Sequence, residues 1–175
     1  MPNHIINLII SYFIIIYGVA TGVDVIIHVA GRPLEQITLV GGFFRAREVF
    51  SEPSQSNKEG NLARIFPVGS RYRITYNGVS MCTKENQNLV GGCFNGVGDN
   101  SLWFIEETRV GSKLQNGDKC LEIGNVDNSA KGSIMKSVAL KPCSASKNQY
   151  FIIRPIGLEH ILDWRFPHDI FRDFY

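Results

Sequence analysis

Four cysteines, Cys82, Cys93, Cys120 and Cys143, are the residues of this 175-residue chain best equipped for chemistry. A thiolate can ligate zinc or be oxidised to a disulfide. Structural zinc sites draw their thiolates from paired short loops, but here Cys93 follows Cys82 by 11 positions and Cys143 follows Cys120 by 23. Disulfides are therefore expected and metal is not. The even count alone permits three connectivities. Other reactive patterns are missing from the sequence: there is no Gly-x-Ser-x-Gly elbow, no phosphate-binding loop and no His-Glu-x-x-His. The pairs Gly41-Gly42 and Gly91-Gly92 lack the following helix and lysine of a phosphate cradle. His160, Asp163, His168 and Asp169 have metal-ligating types but read as solvated polar residues on an aromatic tail. No catalytic residue, metal or cofactor is expected, and the chain reads as a non-enzyme.

The elements that would position any site are strands. Helical periodicity is poor over residues 23–155. Short apolar or β-branched runs recur instead, at Val23–Val29, Ile37–Val40, Tyr72–Tyr76, Leu102–Ile105, Cys120–Ile123, Ile134–Leu140 and Tyr150–Ile153. Between them stand turn signals such as Asn77-Gly78, Asn95-Gly96, Asn116-Gly117 and Gly124-Asn125, which supply positive φ at little cost. The class expected is all-β.

The chain repeats itself. Val68-Gly69-Ser70, Asn77-Gly78 and Cys82 recur in order as Val110-Gly111-Ser112, Asn116-Gly117 and Cys120. A second cysteine follows in each case, and then an Asn shortly before an aromatic: Asn100 with Trp103, and Asn148 with Tyr150-Phe151. A fainter first copy aligns Arg32-Pro33-Leu34-Glu35 with Lys119-Cys120-Leu121-Glu122, Val49–Ser54 with Val138–Cys143, and uses Asn61–Phe66 to close. A competing register aligns Leu39–Phe43 with Leu89–Cys93, and the sequence leaves the choice open. Three such units, none able to bury its own apolar face, point to a β-trefoil of three four-stranded repeats. Each repeat should then bridge itself, Cys82 to Cys93 and Cys120 to Cys143.

Residues 1–22 carry no Asp, Glu, Lys or Arg, and Ile5–Val19 is nearly all apolar before Gly18-Val19-Ala20. This is the pattern of a secretory signal peptide cleaved after Ala20, although its start lacks Lys or Arg. An uncleaved membrane anchor is the alternative. The expected organisation is a leader at 1–20, a trefoil domain at 21–155 and a C-terminal aromatic tail at 156–175, in a secreted, extracellular protein. A net charge of +2 gives no electrostatic case for nucleic acid or for an anionic membrane.

The run Cys120-Leu121-Glu122, Cys143 and Asn148-Gln149-Tyr150-Phe151 resembles a repeat of the ricin B-type lectins, whose signature is Cys-Leu-Asp, a second Cys and Asn-Gln-x-Trp. Cys82, Cys93 and Trp103 resemble a shorter copy. The resemblance covers residues 68–155 well and 24–67 faintly. It implies a non-enzymatic carbohydrate-binding module whose partner is a glycan or glycoprotein. In repeat three the resemblance places Glu122 as the acid holding sugar hydroxyls, Asn148 and Gln149 as the amides, and Lys141 where the family stacks an aromatic. A family Gln position falls on Ala139. In repeat two Lys84, Gly91 and Ser101 take the places of acid, aromatic and Gln, and repeat one offers Glu35. Asn148 and Gln149 could equally hold backbone inside the domain, and Trp103 and Phe151 read as core. Two other roles stand beside the lectin: a sugar-site-degenerate structural or protein-binding module, and a trefoil protease inhibitor acting through Ser51–Asn61. The tail would carry one short helix stopped near Pro167, either folded back on the barrel or docked on an extracellular protein partner.

Overall fold

A computed structural model of the chain describes residues 22–48, 62–84, 88–94, 98–126 and 135–156. The expected leader, the segment Ser51–Asn61 and the tail beyond Ile156 lie outside the described residues.

Twelve strands and two short 3-10 turns make up these residues. The strands are β1 (Val23–Val29), β2 (Arg32–Val40), β3 (Phe43–Glu48), β4 (Ala63–Val68), β5 (Arg71–Tyr76), β6 (Val79–Lys84), β7 (Leu89–Cys93), β8 (Leu102–Thr108), β9 (Gly111–Asn116), β10 (Lys119–Val126), β11 (Met135–Pro142) and β12 (Phe151–Pro155). Six of them close a ring. β1 pairs with β4, β4 with β5, β5 with β8, β8 with β9, β9 with β12, and β12 returns to β1. Closure leaves the barrel no free edge. The other six form three hairpins, β2–β3, β6–β7 and β10–β11, and each hairpin pairs with the next across one end of the barrel. A six-stranded barrel capped by a triangle of hairpins is a β-trefoil, as the repeats predict.

Turn chemistry sets these hairpins. Asn77 and Gly78 both take positive φ (50° and 80°), as do Gly41 and Gly42 (58° and 81°). Two successive residues at positive φ make the turn whose twist matches that of the flanking strands. Gly91 and Gly92 have a different task. They lie in β7, where the Gly92 amide donates to the Gly42 carbonyl at 2.8 Å. A Cβ on Gly91 would come within 3.2 Å of that same oxygen. One glycine pair turns a hairpin and the other lets its tip approach.

The pairings between hairpins fix the internal symmetry. Ser137 faces Arg45, Phe43 faces Gly91 and Leu89 faces Ala139. Arg45, Gly91 and Ala139 are therefore equivalent positions. It follows that Phe44, Val90 and Val138 are equivalent, and so are Ile37, Met81 and Leu121, their diagonal neighbours across the hairpins, two residues from the direct partners Leu39, Thr83 and Ile123. Both equivalent sets of three are fully buried. Ala63, Trp103 and Phe151 form a third buried layer at the start of the closing strands. Their sizes differ widely, and Trp103 also donates its indole N–H to the Met81 carbonyl at 2.8 Å.

This register corrects the sequence alignment of the repeats. Leu34 is 53 % exposed, so it is not the counterpart of the buried Leu121; Ile37 is. The alternative register fails as well, because Phe43, not Leu39, is the counterpart of Leu89. Glu35 consequently does not occupy the position of Glu122; Thr38 does. In repeat two the cysteine-based alignment is out by two. Cys82 faces Gly91 as Glu122 faces Ala139, so Lys84 lies two residues beyond the acid position. The bonded pairs Cys82–Cys93 and Cys120–Cys143 are both diagonal cross-strand pairs, but the first sits two residues nearer its hairpin tip. Β4 begins within the segment expected to close repeat one, whereas Val49–Ser54 lies outside the described residues.

Candidate carbohydrate-binding site

Repeat three gathers the residues of interest on β10, β11 and the 3-10 turn Lys147–Gln149 that leads into β12. Leu121 and Ile123 of β10 face the core, which turns Glu122 to the other face of the hairpin. The turn is held locally: Ser146 Oγ accepts from the Asn148 amide at 3.3 Å, and the Gln149 amide donates to the Ser146 carbonyl at 3.0 Å.

Gln149 is fully buried. Its side-chain amide donates to Glu122 Oε2 at 2.8 Å and to the Pro142 carbonyl at 2.9 Å, and its oxygen accepts from the Ser144 amide at 2.8 Å. Both of its donor hydrogens are thus used inside the domain. A sugar hydroxyl would find no donor there. Gln149 instead orients the carboxylate of Glu122, whose Oε1 makes no hydrogen bond among the described residues.

Asn148 is turned toward repeat one. Its Oδ1 accepts from Arg32 at 3.0 Å, which leaves its amide N–H groups unengaged among the described residues. Arg32 also pairs with Glu35 at 3.0 Å, and Glu35 pairs with Lys136 of β11. Glu35 is 6 % exposed and is neutralised by these two cations. It is a clasp between repeats one and three, not an open acceptor. Lys141 is exposed opposite Cys120 and offers an ammonium where an aromatic platform would stand. The structure thus brings Glu122 and Gln149 together, directs Asn148 to a neighbouring repeat, and leaves Lys141 on the open surface.

Repeat two is closed. Lys84 donates to the Gly92 carbonyl at 3.0 Å, and its stem lies where a side chain at Gly91 would stand. Ser101 is fully buried and donates to the Gly98 carbonyl at 2.8 Å. Asn116, not singled out from the sequence except as a turn residue, holds this repeat's 3-10 turn by donating to the carbonyls of Asp99 and Leu102 at 2.9 and 2.8 Å. Arg32 was also missed as a linking residue, since its partners lie far away in sequence. Among the described residues no group of three His, Cys, Asp or Glu side chains could hold a metal ion.

The family described as ECU07_1090, N-terminal domain, matches residues 32–157, from β2 to the end of the barrel. The chain belongs to the ECU07_1090 N-terminal domain family. No curated protein matches this ECU07_1090-type domain in sequence. Solved structures do match in shape. A mosquitocidal holotoxin superposes with a TM-score of 0.60 at 15% identity, over 78% of this chain and 17% of the toxin. The chain thus spans about a sixth of that toxin's length. The designed threefold-symmetric protein ThreeFoil gives 0.57 at 14% identity, over 75% of this chain and 97% of its own. The C-half of an earthworm R-type lectin, solved with GalNAc, gives 0.53 at 13% identity, over 76% and 98%. At these identities the likeness is one of fold.

Proposed function

We propose that this chain is a secreted, non-enzymatic, lectin-like module of the ricin B type, which recognises glycans on a cell surface or an extracellular coat after cleavage behind Ala20. The observation that carries this reading is the hydrogen bond from buried Gln149 to Glu122, 2.8 Å long. It fixes an outward carboxylate that retains one free oxygen. A preoriented acceptor binds a hydroxyl with less loss of freedom than a mobile one. The unengaged N–H groups of Asn148 and the ammonium of Lys141 supply donors. Gln149 is then a positioning residue, while Glu122, Asn148 and Lys141 touch the sugar. An ammonium in place of an aromatic favours hydroxyl-rich or acidic glycan edges over the apolar face of a ring. The fold shared with a GalNAc-bound R-type lectin supports this reading. A glycan array with the oxidised protein tests it. Binding lost in both Glu122→Ala and Asn148→Ala supports the site, and binding to no glycan overturns it.

A second reading is a trefoil whose sugar sites have decayed into a structural or protein-binding module of an extracellular assembly. Lys84 lying over Gly91 in repeat two, and Glu35 locked between Arg32 and Lys136 in repeat one, favour it. Glycan silence on the array together with an unchanged fold supports this alternative.

A further inference from the structure

The hairpins cap one end of the barrel. The other end is an apolar mouth, lined by Val23, Ile65, Tyr72, Ile105 and Ile153 from all three repeats, with Glu107 and Ser112 the polar members of the lining. β12 runs out to this mouth. Pro155 lines it, and the Ile156 amide donates to the Asp24 carbonyl at 2.9 Å. The chain goes on from that rim through residues 157–175, which include Leu158, Ile161, Leu162, Trp164, Phe166 and Phe171. We propose that the mouth is the docking site of this same segment, 157–175, which seals the barrel as an intramolecular plug.

Three observations converge on that occupant. The segment starts at the rim, so its apolar side chains are held near the mouth at an effective concentration of about millimolar without any partner. It is rich in the large apolar groups that could complete the burial of a lining whose Val23, Tyr72, Ile105 and Ile153 are only partly buried. It also carries four acidic residues (Glu159, Asp163, Asp169, Asp173) against two arginines, whereas the rest of the chain has sixteen basic and twelve acidic residues. The segment's net charge is thus opposite in sign to that of the rest of the chain, while the one charged residue of the mouth's own lining, Glu107, is acidic.

Trp164 is a built-in reporter, because the only other tryptophan, Trp103, is fully buried in the core. The signal of Trp164 is the difference between the full-length chain and its Trp164→Phe variant. Docking predicts that acrylamide quenches this signal about fivefold less than it quenches a free 157–175 peptide, as expected for a tethered segment that is mostly bound. The shielding should persist on dilution and should be lost in Ile105→Glu, with Tyr72→Glu as a second variant if the first does not fold. Free quenching of Trp164 in the unmodified chain overturns the proposal and leaves the segment open to an extracellular protein partner. Shielding that fades on dilution assigns the segment to a second copy and equally overturns it, as does shielding that both folded mouth variants retain.

Discussion

Gln149 and Glu122 lie 27 positions apart in sequence and are joined side chain to side chain at 2.8 Å, with the amide fully buried and the carboxylate only partly so. The two residues therefore carry different burdens. Replacing Gln149 with Leu strands the Pro142 carbonyl, the Ser144 amide and one carboxylate oxygen, and should cost about 1–3 kcal/mol. Glu122→Ala leaves only one group without its partner, a Gln149 N–H, and should cost about 1 kcal/mol. Urea unfolding of the two variants measures the difference. Equal losses would mean that Glu122 is as structural as Gln149.

Tyr76 is fully buried, packs edge-on against Phe44 with ring centroids 5.1 Å apart, and its hydroxyl has no hydrogen-bond partner among the described residues. Burial pushes the phenol well above its ordinary range. A buried hydroxyl without a partner is a cost that its removal relieves. Tyr76→Phe should leave stability unchanged or raise it by about 1 kcal/mol, read as the melting temperature. A clear loss would indicate a partner for that hydroxyl.

His28 is buried in β1, with Nδ1 2.7 Å from the Pro33 carbonyl. Desolvation is the main cause that lowers its pKa below 6.5, opposed by that hydrogen bond and aided by the charge of Arg154. Above pH 6.5 the imidazole is neutral in both folded and unfolded chains, and its contribution is constant. Below 6.5 the unfolded chain takes up a proton that the folded one refuses, so stability falls toward the lowered pKa. His28→Asn, which keeps a donor for the Pro33 carbonyl, should flatten this part of the melting temperature–pH curve. An unchanged slope would place the acid sensitivity in other groups.

The two bridges close loops of different length, with separations of 11 for Cys82–Cys93 and 23 for Cys120–Cys143. Each should contribute about 3 kcal/mol in the chain-entropy account. Doubling a loop adds about 0.6 kcal/mol, so the paired serine variant at Cys120 and Cys143 should be the less stable of the two. Denaturant unfolding of both paired variants checks the order. The reverse order would mean that packing around the sulfurs, not chain entropy, governs the contribution.

The sequence made the barrel legible where strands are apolar. Val23–Val29 coincides with β1, and the runs at 72–76, 102–105 and 120–123 fall inside strands. It hid β3, whose alternation in Phe43-Phe44-Arg45-Ala46-Arg47-Glu48 reads as a charged run until one sees that only Phe44 and Ala46 turn inward. The repeat alignment slipped by two in the β6–β7 hairpin for a physical reason. Side chains alternate with period two, so a shift of two residues keeps every residue on its proper face and leaves the pattern undisturbed. Repeat one slipped further because it has no cysteine to anchor it. At the candidate site the residue types were readable, but their engagement was not. Nothing in Asn148-Gln149 distinguishes an amide that holds Glu122 and the Pro142 carbonyl from one that faces solvent. Nor did Arg32 announce a partner 116 positions away.

The pairing of β1 with β12, from Val25 opposite Pro155 to Val29 opposite Phe151, joins the first strand of the barrel to its last. A chain emerging in order from N- to C-terminus cannot complete the ring until nearly all of it is available. The Cys82–Cys93 bridge lies within one hairpin and can form long before that moment, whereas Cys120–Cys143 needs a cysteine that stands only just ahead of β12. Contacts between distant parts of a chain are slow to assemble. The domain should therefore acquire its first covalent link early and its second link and cooperative stability late, and β1 must wait, unpaired on its β12 side, until β12 is made.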